Sequence, residues 1–288
     1  MNKQDEKVLA CVDQSHFADT VTDYAAWAAR RMDAPLELLH VIDRHPEQGL
    51  GEDHSGAIGI NAQEQLLSNL SDRDAAVARA KREQGRVFLN RLRERGLAAG
   101  APSADMRQRH GALDETLAEQ ENSVRLFVFG RRGASAETTQ RDLGRNVERV
   151  VRAIHKPILT VTEGFKEPER VMLAYDGTAV TRKGVDMIAN SPLFKGLPVH
   201  IVMAGKESAD APKQIAWAKD MLTSAGFEVV ADILPGDPEV VIAREVKARD
   251  IDMLLMGAYA HSPLRTLIFG SKTTDLLRAA TIPTLLLR

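Results

Sequence analysis

Ile251-Asp252-Met253-Leu254-Leu255-Met256-Gly257-Ala258-Tyr259-Ala260, followed after nine residues by Gly270-Ser271, is the stretch whose reading decides the fold. From Ile251 to Met256 all but Asp252 are apolar, the composition of a strand buried on both faces of a parallel sheet. Gly257 opens a turn, and a helical pattern begins at Ser271. Strand, glycine turn, loop, second glycine and helix start is the order in which a backbone is shaped to hold phosphates. Small residues let the main chain approach an anion, and free N–H groups at a helix N-terminus point at it. The first expectation is a nucleotide phosphate cradle.

The rest of the chain repeats the strand and helix alternation. Val8 to Val12 is a short apolar strand that stops at Asp13-Gln14-Ser15. Ala18, Val21, Ala25, Ala26, Ala28 and Ala29 follow at helical spacing, with Ser15 or Asp13 as N-cap, and Leu36 to Ile42 is the second strand. A strand, helix and strand in this order imply a parallel, right-handed crossover. The segment from Asp43 to Ser71, with Gly49, Gly51, Gly56 and Gly59, is too long for an ordinary connection and reads as a flap or an insertion. A charged helix is expected from Asp72 to Arg95, with Ala76, Ala80, Val87, Phe88 and Leu92 on its inner face and its Arg and Lys solvated. Then come a strand closing on Gly111, a helix with Leu113 and Leu117, a strand from Val124 to Phe129, a helix from Asn146 to Ile154 and a fifth strand from Pro157 to Val161.

At Val171 the pattern starts again. Val171 to Thr178 repeats Val8 to Ser15, with Asp176 falling 163 positions after Asp13. At that offset Leu36 matches Val199 and Val41 matches Ala204; further on, Gly130 matches Gly257 at 127 and Pro157 matches Pro283 at 126. The chain therefore divides into homologous halves, 1–164 and 165–288, each a doubly wound α/β domain with five parallel strands and four helices. In such sheets ligands bind beyond the C-terminal strand ends where strand order reverses, so Asp13 should meet Gly130, and Asp176 should meet Gly257. The two apolar last strands are expected to pair the halves as a pseudo-dimer within one chain, with association of two chains as a further step.

Hydrophobic content of 44%, charged content of 27% and a net charge of −2 give no sign of a nucleic-acid or membrane surface. The N-terminus reads as polar without a signal peptide, and no apolar run reaches the ~20 residues of a membrane span, so a cytoplasmic protein is expected. Cys11, the sole cysteine, lies in an apolar strand and reads as a packing residue. His40, His110, His155 and His200 lack metal-ligand spacing and read as structural.

With these residues in view, the chain resembles a tandem universal stress protein, an adenine nucleotide alpha hydrolase-like fold, over nearly its whole length. Nucleotide-binding members carry Gly, two residues, Gly, nine residues, then Gly and Ser or Thr, with an Asp ending the first strand. The second half matches with Gly257, Ala260 in place of the second glycine, Gly270 and Ser271, and with Asp176 upstream. The resemblance implies that Asp176 and backbone near Ala174 and Ala204 hold adenine and ribose. Gly257, Tyr259, Ala260, His261, Gly270, Ser271 and Lys272 would surround the phosphates of ATP, with Mg²⁺ alongside. The first half keeps Asp13, Val41, Gly130, Arg132 and Gly133, but ten residues precede Gly144, and Arg145 and Asn146 stand where Ser271 and Lys272 do. Arg145 would serve there as a charged clamp or fill an empty site.

The plainer reading of Asp13 and Asp176 is a turn or cap residue. The function expected is ATP binding, mainly in the second half, by a stress-response sensor or regulator. The alternative is a nucleotide-independent scaffold of the same family. No catalytic residues and no metal ligands are assigned, and at most slow ATP hydrolysis is expected, because the chain has no Walker-type glycine-lysine motif.

Overall fold

The structure, a computed structural model, describes residues 6–42, 79–80, 82–131, 145–205, 209–257 and 282–288, of which 145–148 are described by their backbone alone. In the first half the strands are β1 (Lys7–Cys11), β2 (Leu36–Ile42), β3 (Ala104–His110), β4 (Val124–Gly130) and β5 (Ile158–Val161). In the second half they are β6 (Val171–Ala174), β7 (Val199–Gly205), β8 (Val229–Pro235), β9 (Met253–Gly257) and β10 (Thr284–Leu287). The helices are α1 (Ala18–Met32), α2 (82–98), α3 (Leu113–Gln120), α4 (Arg145–Ala153), α5 (Ala179–Asn190), α6 (Ala211–Ser224) and α7 (Pro238–Ala248). The fourth helix expected in the second half, from Ser271, lies outside the described residues, as does the segment from Asp43 to Ser71.

All ten strands form one sheet in the order β3-β2-β1-β4-β5-β10-β9-β6-β7-β8. Within each half every pair is parallel. The halves join through the antiparallel pair β5 and β10, where Leu159 faces Leu285, Ile158 faces Leu286 and Thr160 faces Thr284. The expected intrachain pseudo-dimer is thus a continuous sheet with its pseudo-twofold axis through the Leu159–Leu285 pair. Both last strands are consumed in this seam, so neither is left to pair with a second chain. Hydrogen bonds fasten it on both sides: Thr160 Oγ1 donates to Thr284 O at 3.1 Å, and Arg288 donates to Ile154 O at 3.1 Å.

A twofold axis normal to the sheet keeps corresponding helices on the same face. One face accordingly carries a shared core, in which α1 (Tyr24, Trp27) and α2 (Leu89, Leu92) adjoin α5 (Val185, Ile188) and α6 (Ala218, Leu222). On the other face the cores are separate: Leu117, Val150 and Val151 pack under the first half, Val241, Ile242 and Val246 under the second. The linker between the halves crosses the seam and is pinned from both. Tyr24 stacks edge-on against Phe165 at 4.8 Å, Arg30 pairs with Glu167 at 2.9 Å, and the buried Asp252 accepts from the N–H groups of Glu169 and Arg170, each at 3.0 Å, and from Lys166.

Three local expectations need correction. Val87 is 59% exposed, and the inner face of α2 is Gly85, Leu89, Leu92 and Gly96, with Phe88 half-buried. The glycines have no hydrophobic side chain to advertise that face, yet it depends on them: a Cβ on Gly96 would come within 2.9 Å of Leu36 Cδ2. The cations of α2 are also not simply solvated, because Arg91 and Arg95 bind Asp19 and Asp23 of α1 at 2.8 and 2.7 Å. Lastly, Phe17 and not Ser15 or Asp13 stands at the N-cap position of α1, and it makes no side-chain cap hydrogen bond.

Candidate functional site

Parallel strands put all C-terminal ends of one half on one edge of the sheet. The order reverses at β1 in the first half and at β6 in the second, the points beyond which sheets of this kind take their ligands. Because the halves meet antiparallel, the two reversal points face opposite edges of the sheet.

In the second half β6 ends at Ala174, and its chain turns through Asp176 and Gly177 into α5. Gly177 has φ 74°, the left-handed region that favours glycine, and this lets Thr178 cap α5 directly. Asp176 is exposed, yet its Oδ1 is saturated: Thr178 N donates at 3.0 Å, Thr178 Oγ1 at 2.7 Å and Thr181 Oγ1 at 2.8 Å. Among the described residues Oδ2 accepts no hydrogen bond. Gly257 ends β9 beside this turn, and a Cβ there would meet Val180 Cγ1 of α5 at 3.2 Å, so glycine here lets strand and helix start approach. Ala174 ends β6 and Ala204 is the last residue but one of β7, both half-buried against the cluster of Met172, Val202 and Leu254. The structure therefore brings together Asp176, Ala174, Ala204 and Gly257 at one crevice.

The first half keeps the scaffold and alters its chemistry. Gln14 stands where Gly177 does, outside the left-handed region, and the turn runs on until α1 begins at Ala18. Ser15 donates to Asp13 Oδ1 through both its N–H, at 3.1 Å, and its hydroxyl. The position of Thr181 is taken by Ala18, which has no hydroxyl to add. Val41 is the last residue but one of β2, as Ala204 is of β7, and Gly130 ends β4 paired with Val161. The next residue, Arg131, is 7% exposed and reaches across the seam, donating to Ile282 O at 3.1 Å and Thr284 Oγ1 at 3.3 Å. Its counterpart is Ala258, which has no donor in its side chain.

Tyr259, Ala260, His261, Gly270, Ser271, Lys272, Arg132, Gly133 and Gly144 lie outside the described residues, as do the side chains of Arg145 and Asn146; the backbone at 145 and 146 opens α4. Sequence reasoning missed Thr178 and Thr181; the signal was the spacing Asp-Gly-Thr-x-x-Thr, which puts two hydroxyls within reach of one carboxylate. It also missed Arg131, whose partners lie 151 and 153 residues away. Of the histidines, His40 Nδ1 bonds Val12 O at 2.9 Å, and burial followed by the Arg249 charge pushes His200 below its ordinary value. Burial, aided by Glu37, pushes the Cys11 thiol well up, which makes it unsuited to act as a nucleophile. A cleft of about 410 Å³ at the linker, lined by Tyr24, Glu163, Lys166 and Asp252, contains none of the predicted site residues.

Comparison with known proteins finds one family model twice along the chain. The model of the universal stress protein family matches residues 6–162 and again 168–288. Universal stress protein Slr1230 of Synechocystis sp. is 34% identical over 287 residues, covering 98% of this chain and all of that one. Among solved structures, a universal stress protein from Archaeoglobus fulgidus superposes with a TM-score of 0.70 at 18% identity, covering 99% of this chain and 97% of its own. A putative universal stress protein from Pseudomonas aeruginosa does so with a TM-score of 0.60 at 16% identity, covering 98% and 92%.

Proposed function

We propose, since the chain belongs to the universal stress protein family, that it binds ATP in its second half and acts as a stress-response sensor or regulator. The observation that carries this reading is Asp176, whose Oδ1 is held by three donors while Oδ2 is left open at the strand-order reversal. That is how a carboxylate is presented to the hydroxyls of a ribose. The phosphates would lie on the turn that opens at Gly257. Mg²⁺ would enter with them as the counter-ion of the phosphate oxygens.

Isothermal titration with ATP tests the proposal. One site per chain is expected, lost in Gly270→Arg and weakened about tenfold or more in Asp176→Ala, the size of one charge-assisted hydrogen bond. Absence of binding to the wild-type protein overturns it. A scaffold reading is favoured for the first half alone, because Arg131 of its motif is used to tie the two halves together. Denaturing the purified protein and assaying released nucleotide separates a loaded protein from a scaffold.

A further inference from the structure

The donors around Asp176 point to a division of labour within the second half that goes beyond the binding motif. We infer that Thr181 is a positioning residue, which orients Asp176 and thereby sets the selectivity of the crevice for a ribose carrying free hydroxyls; this rests on the ATP reading above.

Thr181 is 2% exposed in the first turn of α5, so its hydroxyl must be satisfied within the protein. It has one proton and three acceptors within reach, Asp176 Oδ1 at 2.8 Å, Thr178 O at 3.2 Å and Thr178 Oγ1 at 3.4 Å. The shortest bond, to the ionised acceptor, is the strongest one. Thr178 spends its own proton on the same Oδ1 at 2.7 Å. Two hydroxyls and one N–H on a single oxygen fix the carboxylate's rotation, and the other oxygen is thereby aimed away from α5. In the first half the same register carries Ser15, which donates to Asp13 Oδ1 through its N–H and its hydroxyl, and Ala18, which has no hydroxyl to give. A carboxylate that loses one of these donors gains rotational freedom, and ordering it on binding then has an entropic cost.

The test compares ATP with 2′,3′-dideoxy-ATP by isothermal titration of the full chain. Wild type should prefer ATP about tenfold or more, and Asp176→Asn should abolish that preference. Thr181→Val, which keeps shape and removes the hydroxyl, should reduce the preference to about threefold or less, while Thr181→Ser should keep it. A general loss of fold in Thr181→Val would weaken both ligands alike and leave the ratio unchanged. An unchanged ratio in Thr181→Val therefore overturns the positioning role. Wild-type binding of ATP without preference over the dideoxy compound overturns the role assigned to Asp176 as well. No binding of either ligand overturns the ATP reading itself, and with it this inference.

Discussion

The two halves share a backbone register and differ in what stands at both ends of their strands. Val8 faces Leu36 in the first half and Val171 faces Val199 in the second, the same pairing moved by 163. Beyond the C-terminal ends, Gln14 and Ala18 replace Gly177 and Thr181, and one aspartate loses donors that the other keeps. Toward the N-terminal ends, three equivalent positions carry a charge cluster of changed composition. Lys7 binds Glu37 at 2.9 Å with Arg107 at 3.4 Å in the first half. Arg170, His200 and Asp232 occupy those positions in the second, and Arg249 of the α7 end binds Asp232 at 2.7 Å and approaches His200 Nδ1 at 3.4 Å. The apolar ladder between the two ends is what duplication preserved. Polar residues at the ends could diverge because each contacts few neighbours and can be satisfied by different partners.

The seam is where the comparison can be broken outright, because both halves depend on it equally. Leu159 and Leu285 face each other and are 0% and 1% exposed. Leu159→Asp places an unpaired carboxylate on the pseudo-twofold axis and should cost about 4 kcal/mol or more in urea unfolding. A cost below ~1 kcal/mol would mean that the halves do not depend on this contact.

A smaller effect distinguishes the halves at the linker. Asp252 and Arg125 occupy equivalent positions one residue before β9 and one residue into β4. Asp252 has a side chain 4% exposed and accepts from two backbone N–H groups and Lys166, whereas Arg125 makes one long bond to Met32 O at 3.4 Å. Asp252→Ala should therefore cost about 3 kcal/mol and Arg125→Ala less than about 1 kcal/mol. Equal costs would show that the linker is not held chiefly from the second half.

The fold was legible because its signals are local and repeated. The apolar runs that mark most of the strands, and glycines such as Gly111 and Gly236 that recur at one register with φ 144° and 128°, carry their meaning within a few residues. The offsets read between the halves are the offsets of the ladders. The inner face of α2 was misread because Gly85 and Gly96 mark it by close approach and not by hydrophobicity. At the candidate site the strand-end positions Asp176 and Gly257 could be read from order alone. The donors that orient Asp176, and the reach of Arg131 across the seam, could not. A hydrogen bond depends on where two side chains meet, and periodicity says nothing of that when the partners are in different halves.

The charge clusters offer the finest distinction, through pH. His200 is held below its ordinary value by burial and then by the Arg249 charge, against the weaker pull of Asp232. A histidine whose folded value is depressed is protonated first in the unfolded chain, so stability should fall as pH drops below about 6.5 and stop falling once the folded value is passed. Glu245 gives a second, lower limb. Arg244 and Arg249 hold its carboxyl below the usual range, so the stability it contributes is present above about pH 4.3 and is lost as pH falls through its folded value. Urea midpoints measured from pH 3 to 8 should show both limbs. His200→Gln should flatten the upper limb and leave the lower one, while Arg249→Met should shrink the lower, where Arg244 still holds Glu245, and, by removing the cation beside His200, shrink the upper as well. The first half has Glu37 at the position of His200, so no part of the upper limb should come from its cluster. An upper limb that survives His200→Gln unchanged would place the titrating group elsewhere and remove this difference between the halves.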